Sequence, residues 1–302
     1  MAQTHQFRQI LYPTDAAPQG HAPGFPYAVA LSQSYGAELG ICHCIDEPSL
    51  DNDRDSSVTC ECEKRVAELV LRSGSSGANL DWRCGVKRGE NVGETIRREA
   101  AEQKSDLIVL SRGKNQPAGL LGSTVESVSR TAPCPVLVIP TGRREWVTER
   151  DDVRIARVLV PYDFSDESEL AMRYGLSFAQ QYKGEVHLLH VLHTLESFEV
   201  DSMGRFVSRH ATFDETVRKL ETAVPKEARL GCDIKDIVSW GMPFREVLAY
   251  AEDYSIDLIC MGSRGAGYGM QSLFGSNTDR VLRQAACPVL IARPFTNLVR
   301  SM

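Results

Sequence analysis

The sequence lacks long hydrophobic runs. No uninterrupted apolar stretch exceeds five residues in the chain of 302, and the longest are 27–31 and 247–251. A membrane-spanning helix needs about 20 apolar residues, so we expect no membrane segment. The beginning of the chain also lacks a charged and then apolar export segment. We therefore expect a cytoplasmic protein.

An excess of positive charge is lacking too. The chain has 34 Lys and Arg against 40 Asp and Glu, which gives a formal net charge of −6. Proteins that coat nucleic acids or anionic membrane surfaces generally carry the opposite charge. We therefore expect no nucleic-acid or membrane partner. Its hydrophobic content of 42% is enough for an ordinary core in each of two domains of about 150 residues.

The sequence contains one unit twice. Three segments return about 150 residues later in the same order: 9–15 at 157–163, 105–110 at 256–261, and 134–139 at 287–292. This pattern indicates a tandem duplication with domains at 1–147 and 148–302. The charged, weakly periodic stretch around 141–152 is typical of an exposed linker.

Each copy alternates short apolar runs with longer amphipathic stretches. The runs predict buried strands at 10–12, 39–45, 107–110 and 136–139 in the first copy. The amphipathic stretches predict helices at 27–35, 60–71, 92–103, 124–130, 169–181, 212–223, 244–253 and 277–284. Strand and helix alternation favours an α/β fold, with a parallel sheet covered on both faces. Ligands of such sheets bind at the carboxyl ends of the strands, where the strand order reverses.

A glycine-rich segment follows the apolar run 258–261 of the second copy. It has the pattern G-x2-G-x9-G-S at Gly262, Gly265, Gly275 and Ser276. Glycines let backbone N–H groups approach phosphate oxygens, and we expect Ser276 to cap the next helix, with Asp279 three residues on. A helix N-terminus favours an anion, and Arg264 adds a charged donor. A surface loop before a capped helix is the alternative, but the position after an apolar strand favours phosphate binding.

Asp163 ends the first strand of the second copy. An acid at this place accepts hydrogen bonds from ribose or adenine in Rossmann-like folds. It is alternatively a turn or helix-capping residue. The phosphate loop expected on a nearby strand favours the nucleotide role.

These residues resemble the universal stress proteins in their tandem-domain form. The resemblance covers nearly the whole chain: the opening strand-Pro-x-Asp, a second strand with His43 or His190, the glycine motif and the closing Cys-Pro-Val-Leu strand. It implies two tandem Rossmann-like domains of the adenine nucleotide alpha hydrolase type. Each would hold a five-stranded parallel sheet flanked by helices.

The resemblance also implies an ATP site in the second copy, for ATP, ADP or AMP, with or without Mg²⁺. The family's binding positions fall on Asp163, Val191, Met261, Gly262, Arg264, Gly265, Gly275, Ser276 and Asn277. Family members also pair their closing strands across a dimer. The resemblance thus implies an intramolecular pseudo-dimer, able to associate further, through 135–139 and 288–292.

The first copy departs from the glycine motif. It lacks the first glycine, and its loop from Gly113 to Gly122 is one residue shorter and contains Pro117. A weaker second site would keep Asp15, Arg112, Gly113, Gly122 and Ser123, with Ser123 and Glu126 forming a capping box. Each lost phosphate hydrogen bond costs about 1.5–3 kcal/mol. We therefore expect one good site, in the second copy.

The leading hypothesis is an ATP-binding stress-response regulator with an unidentified protein partner. Between Gly262 and Asn277 there is no Asp, Glu or His, so at most a slow ATPase is expected. The P-loop and the His-x-Gly-His and Ser-Gly-Gly-x-Asp loops of adenylylating enzymes are missing. A third hypothesis is a nucleotide-independent scaffold that binds an apolar ligand or protein through its N-terminal domain.

Five cysteines lie close together in the first copy, at positions Cys42, Cys44, Cys60, Cys62 and Cys84. Cys42 and Cys44 share one face of a strand by the period-two rule, and Cys84 belongs on a neighbouring strand. Core packing is the favoured role, with a redox pair or a zinc site as alternatives. His187, His190 and His193 recur at every third residue of a strand, so they cannot converge on one metal.

Overall fold

The computed structural model describes residues 7–14, 23–45, 64, 80–112, 120–140, 153–192, 209–265 and 274–294. The chain divides into two compact units between Arg154 and Ile155. We call them the N-terminal unit and the C-terminal unit, the latter comprising Ile155–Ala292. No helix among the described residues is both long and apolar enough to cross a membrane.

The N-terminal unit has a parallel sheet in the order β3-β2-β1-β4-β5. Its elements are β1 (Gln9–Thr14), α1 (Gly24–Tyr35), β2 (Glu38–Ile45), β3 (Trp82–Arg88), α2 (Val92–Glu102), β4 (Leu107–Ser111), α3 (Ser123–Thr131) and β5 (Val136–Ile139). The helix predicted over 60–71 lies outside the described residues except for residue 64.

The C-terminal unit repeats this order as β8-β7-β6-β9-β10, also parallel. Its elements are β6 (Arg157–Pro161), α4 (Asp166–Tyr182), β7 (Glu185–Leu192), α5 (Arg209–Ala223), α6 (Lys226–Gly231), β8 (Asp233–Trp240), α7 (Pro243–Asp253), β9 (Leu258–Gly262), α8 (Ser276–Gln284) and β10 (Val289–Ala292). The predicted fold class, two α/β domains with five-stranded parallel sheets, is confirmed.

The central strands are buried because helices cover both faces of a parallel sheet. Every residue of β9 is buried, and so are all residues of β4 except Ser111. The apolar runs that predicted these strands are therefore core segments, and polar residues concentrate where the strands end.

One carboxylate holds the start of the first strand in each unit. Asp106 accepts hydrogen bonds from the N–H groups of Arg8 (2.8 Å) and Gln9 (3.1 Å). Asp257 accepts them from Ala156 (2.8 Å) and Arg157 (2.9 Å). These bonds fasten the amino ends of the strands, which leaves the carboxyl ends to form a site.

The strand order reverses between the first and fourth strands of each unit, which are β1 and β4 or β6 and β9. Connections leave these neighbouring strands toward opposite sides, so a crevice opens at their carboxyl ends. Both units therefore have a topological switch point.

Candidate nucleotide site

A cavity of about 950 Å³ lies at the carboxyl ends of β6, β7 and β9 in the C-terminal unit. All nine residues predicted for the principal site line it, namely Asp163, Val191, Met261, Gly262, Arg264, Gly265, Gly275, Ser276 and Asn277. The volume falls within the range of small-molecule sites, about 300–1,000 Å³. The fold thus brings together residues that are up to 114 positions apart in the sequence.

The amino end of α8 forms one wall of the cavity. Gly275 occupies the N-cap, with φ −74° and ψ 142°, and its carbonyl accepts the N–H of Asp279 at 3.0 Å. The prediction that Ser276 caps the helix is therefore wrong: Ser276 is already the first helical residue, one position too far along to cap. The carboxylate of Asp279 instead binds Arg283 at 2.8 Å.

The glycine N-cap has an electrostatic consequence. Because glycine has no side chain, the N-cap of α8 makes no side-chain hydrogen bond. Residues Gly275 to Thr278 all line the cavity, so the positive end of the helix dipole faces it. This arrangement suits an anionic group.

Two hydrogen bonds fix the start of α8 to the exit of β9. The N–H of Gly275 donates to the carbonyl of Ser263 at 2.8 Å. The buried hydroxyl of Thr278 donates to the carbonyl of Gly262 at 2.9 Å. The wall formed by the helix is therefore preorganised relative to the sheet.

An added side chain would meet close neighbours at two glycines beside the cavity. A Cβ on Gly262 would lie 2.8 Å from Cβ of Glu167, and a Cβ on Gly265 would lie 2.5 Å from Oδ2 of Asp163. Between these glycines, Arg264 faces Glu167, with 3.4 Å between Nη2 and Oε1. Both side chains are partly exposed, so the ion pair is weak and an entering anion can displace it.

Asp163 both lines the cavity and organises a turn. Its Oδ1 accepts the N–H of Ser165 at 3.2 Å and the Ser165 hydroxyl at 2.5 Å. Ser165 in turn caps α4 by accepting the N–H of Ser168 at 3.2 Å. The turn role that was the alternative for Asp163 is therefore present, alongside its position in the cavity.

Several lining residues were not predicted. His190 donates from Nδ1 to the carbonyl of Tyr162 at 2.7 Å, and burial raises the pKa of Tyr162. Phe244, at the start of α7, lies beneath the guanidinium of Arg280, whose Cζ is 4.6 Å from the ring centroid. Arg280 is four residues after Ser276 and so on the same helix face, a signal that sequence analysis could have used. The sequence has no comparable signal for Phe244.

The weaker second site is only partly described. Asp15 and Gly113 lie outside the described residues, whereas Arg112 follows β4, and burial lowers the pKa of its guanidinium. Gly122 is the N-cap of α3 and Ser123 is the first helical residue. The predicted capping box of Ser123 and Glu126 is therefore wrong for the same reason as in α8, and Glu126 pairs with Arg130 at 3.0 Å.

A serine replaces the missing glycine of the N-terminal unit. Ser111 pairs with the last residue of β5 as Gly262 pairs with the last residue of β10. The Ser111 hydroxyl accepts the N–H of Gly24, the first residue of α1, at 2.8 Å. At the exit of β4 the strand residue itself provides the side chain that bonds a helix, whereas at the exit of β9 the helix residue Thr278 provides it.

Cysteine and histidine positions follow the predicted strand periodicity. Cys42 and Cys44 point to one face of β2, with their Sγ atoms 3.3 Å apart, and Cys84 lies on β3 opposite Ile41. Cys60, Cys62 and His193 lie outside the described residues. Within the described parts of the chain, no three His, Cys, Asp or Glu side chains are grouped as metal ligands. His187 is buried and bonds Tyr250.

The fold defines a tandem Rossmann-like α/β protein with a cavity at the carboxyl ends of the strands in its C-terminal unit. The model of the family described as "Universal stress protein family" matches residues 6–140 and 154–293. The chain therefore belongs to the universal stress protein family, and the predicted resemblance is confirmed.

Two of the relatives found each match a little under half of the chain. A universal stress protein of Methanocaldococcus jannaschii is 29% identical over 156 residues, covering 47% of this chain and 96% of the relative. Universal stress protein G of Shigella flexneri is 34% identical over 143 residues, covering 45% of this chain and 97% of the relative. Each relative thus corresponds to one repeat.

A solved universal stress protein from Archaeoglobus fulgidus matches both repeats. It is 22% identical, covers 96% of this chain and 99% of its own, and superposes with a TM-score of 0.67. At this identity the likeness shows the fold alone. A universal stress protein solved as a complex with cAMP is 21% identical, covers 46% of this chain and all of its own, and has a TM-score of 0.35.

Proposed function

We propose that the C-terminal unit binds one adenine nucleotide, with ATP as the expected ligand, and that the protein is a nucleotide-responsive regulator in stress response. The observation that carries this proposal is the chemistry of the cavity walls. A helix N-terminus with a glycine cap, two arginines and several glycines line the cavity together with apolar side chains such as Val191, Met242 and Val247. A ligand that matches both kinds of lining has an anionic tail and an apolar head.

The order of the strands supports an orientation for this ligand. The glycine loop follows β9, whereas Val191 and Met242 lie at the ends of β7 and β8, on the far side of β6. Neighbouring strands lie about 4.8 Å apart, so β7 and β9 are separated by about 10 Å. The phosphates then belong over β9 and α8, and the base belongs beside Val191, with Asp163 between them.

Gly275 supports a ligand close to the backbone. Its φ of −74° is accessible to any residue, and the nearest atoms to an added Cβ are 3.4 Å away. The fold therefore tolerates a small side chain at this position. A phosphate that approaches the N–H groups of α8 leaves no room for that side chain. The need for glycine at this position is therefore explained by the bound ligand and not by packing within the protein.

The charges beside the cavity support an anion that competes with Glu167. Arg264 lies 3.4 Å from the Glu167 carboxylate, and a phosphate group offers the guanidinium a stronger, bidentate partner. Arg280 lies on the face of α8 that lines the cavity, above Phe244. Two cations near one helix N-terminus match the charge of a polyphosphate.

Calorimetric titration of the full chain with ATP tests this proposal. We expect one site per chain and at least about 10-fold weaker binding by Gly275→Val, because a lost charge-assisted phosphate hydrogen bond costs about 1.5–3 kcal/mol. Gly122→Val is the matched control, since Gly122 is the N-cap of α3 with nearly the same dihedral angles. We expect that control to bind ATP like the wild type.

Two results would contradict the proposal. One is the absence of ATP binding by the wild type, and the other is equal affinity for the wild type and Gly275→Val with both proteins folded by circular dichroism. A loss of affinity in Gly122→Val instead would move the site to the N-terminal unit. ADP release, timed in the same samples, decides whether the bound ATP is hydrolysed.

A further inference from the structure

Two thiols of β2 lie within hydrogen-bonding distance of each other. The Sγ atoms of Cys42 and Cys44 are 3.3 Å apart, and the two residues point to the same face of the strand. Cys42 is 1% exposed, whereas Cys44 is half-buried toward the carboxyl end of β2. One thiol is therefore open to small solutes and the other lies directly behind it.

The neighbouring strand gives these two thiols different surroundings. The register places Gly85 opposite Cys42 and Lys87 opposite Cys44. Among the described residues, no heavy atom lies within 4 Å of the point that a Cβ on Gly85 would occupy. Lys87, which pairs with the Glu99 carboxylate at 2.8 Å, thus lies on the strand next to the more exposed thiol.

The charges divide the roles of the pair. The hydrogen bond from Cys42 lowers the pKa of Cys44, and the positive charges of Lys87 and Arg98 lower it further, against the opposing effects of burial and Glu99. The same hydrogen bond and burial raise the pKa of Cys42. Of the two thiols, Cys44 therefore ionises more readily to the thiolate, which is the nucleophilic form of cysteine.

We propose that Cys44 and Cys42 form a peroxide-reactive dithiol, in which Cys44 is the nucleophile and Cys42 resolves the oxidised sulfur. This modification site lies in the N-terminal unit, outside the proposed nucleotide cavity. The 3.3 Å contact, the unequal exposure of the two thiols and the position of Lys87 opposite Cys44 carry the proposal together.

The chemistry requires hydrogen peroxide as the oxidant. The Cys44 thiolate attacks one peroxide oxygen, the O–O bond breaks, and hydroxide leaves and takes up a proton to become water, so that Cys44 becomes a sulfenic acid. The Cys42 sulfur then attacks the Cys44 sulfur. The S–O bond breaks, an S–S bond forms, and the thiol proton of Cys42 leaves with the hydroxyl as a second water. Two thiols lose two electrons in total, and one peroxide is reduced to two waters.

The position on a strand makes the disulfide easy to reverse. Residues two apart on a strand have Cα atoms about 6.4–6.8 Å apart, at the upper end of the separations that disulfides span. Closing the bond therefore bends β2 near its carboxyl end. Strained disulfides are reduced more readily than structural ones, so thiols would restore the pair.

The test is oxidation of the full-length, fully reduced protein with a small excess of hydrogen peroxide. We expect the intact mass to fall by two hydrogens, and peptide mapping to find the Cys42–Cys44 bond, which dithiothreitol removes. In Cys42→Ser, dimedone should instead trap a sulfenic acid on Cys44. In Cys44→Ser, oxidation of Cys42 should be at least about 10-fold slower than in the wild type.

Cys84→Ser is the matched control, because Cys84 is also half-buried and lies on the neighbouring strand. We expect this variant to form the bond at the wild-type rate. A bond between Cys44 and any other cysteine would overturn the role of Cys42. Oxidation of Cys44 no faster than that of Cys84 would overturn the proposal as a whole, and circular dichroism of each variant separates these results from misfolding.

Discussion

The exits of the fourth strands differ in how the N-terminal and C-terminal units make room for a helix. Ser111, at the end of β4, contacts Gly24 of α1, and a Cβ added to Gly24 would lie 2.6 Å from Ser111 Oγ. Gly262, at the end of β9, contacts Glu167 of α4, and a Cβ added to Gly262 would lie 2.8 Å from Glu167 Cβ. Each contact needs one glycine. In the N-terminal unit it lies on the helix, and in the C-terminal unit it lies on the strand.

This exchange changes what the strand exit can do. With glycine on the strand, the last residue of β9 lines the cavity with its backbone alone. With serine on the strand, the hydroxyl already accepts a backbone N–H from α1. The same strand exit thus lines a candidate ligand site in the C-terminal unit and packs against a helix in the N-terminal unit.

The largest expected effect concerns what the units share. Asp106→Ala and Asp257→Ala should each lower the free energy of unfolding by about 3 kcal/mol, because each removes two backbone hydrogen bonds to a carboxylate. Urea denaturation measures the free energy of unfolding of the two variants, with the fluorescence of Trp82 and Trp240 followed in a Trp146→Phe background. Clearly unequal costs would mean that the two frameworks are not equivalent.

Exchanging the strand residues sharpens the difference between the units. Gly262→Ser should weaken ATP binding by about 10–100-fold, because the new Cβ forces apart the backbone of the glycine loop and Glu167. Its counterpart Ser111→Gly should leave ATP binding unchanged. Calorimetric titration with ATP measures both variants. A second ATP site in Ser111→Gly would show that Ser111 alone prevents ATP binding by the N-terminal unit.

A buried histidine should make the C-terminal unit sensitive to mild acid. His187 donates from Nε2 to the Glu185 carboxylate and accepts at Nδ1 from the Tyr250 hydroxyl. The corresponding position of β2 is Gly40. Burial lowers the pKa of His187 below its ordinary 6.5, so below pH 6.5 the unfolded chain binds a proton that the folded chain does not. Stability should therefore be full above pH 6.5 and fall as the pH decreases below it.

Urea midpoints at pH 7.5 and 5.5, compared between the wild type and His187→Gln, measure this effect. With Trp82→Phe and Trp146→Phe in both proteins, Trp240 reports on the C-terminal unit. The protein with His187 should lose stability at pH 5.5, and the His187→Gln variant should lose less. An equal loss in both proteins would assign the pH dependence to other groups.

The smallest expected effect concerns the ends of the first helices. Gly36 follows α1 with φ 62°, and Lys183 follows α4 with φ 55°, both in the left-handed region. Glycine adopts this region without the steric cost that lysine bears. Lys183→Gly should therefore stabilise the C-terminal unit by about 1 kcal/mol in urea denaturation, and Gly36→Lys should destabilise the N-terminal unit by a similar amount.

Most of the fold was predictable because it depends on local patterns. Buried strands of parallel sheets are continuously apolar, so β4 and β9 were predicted nearly to the residue. The places of Ser276 and Ser123 as the first helical residues, and not as N-caps, were not predicted. A capping box depends on which residue first adopts helical dihedral angles, and the hydrogen bond from Gly275 to Ser263 sets that point for α8.

The amino-acid sequence by itself determined the duplication, the strand pattern, the spacing of the glycines and the shared face of Cys42 and Cys44, because each follows from periodicity along the chain. Only the tertiary structure decided that Gly24 donates a hydrogen bond to Ser111, that His187 bonds Tyr250 and that the two thiols lie 3.3 Å apart. Distances of this kind depend on how helices and strands pack, and many of the packed residues are far apart in sequence.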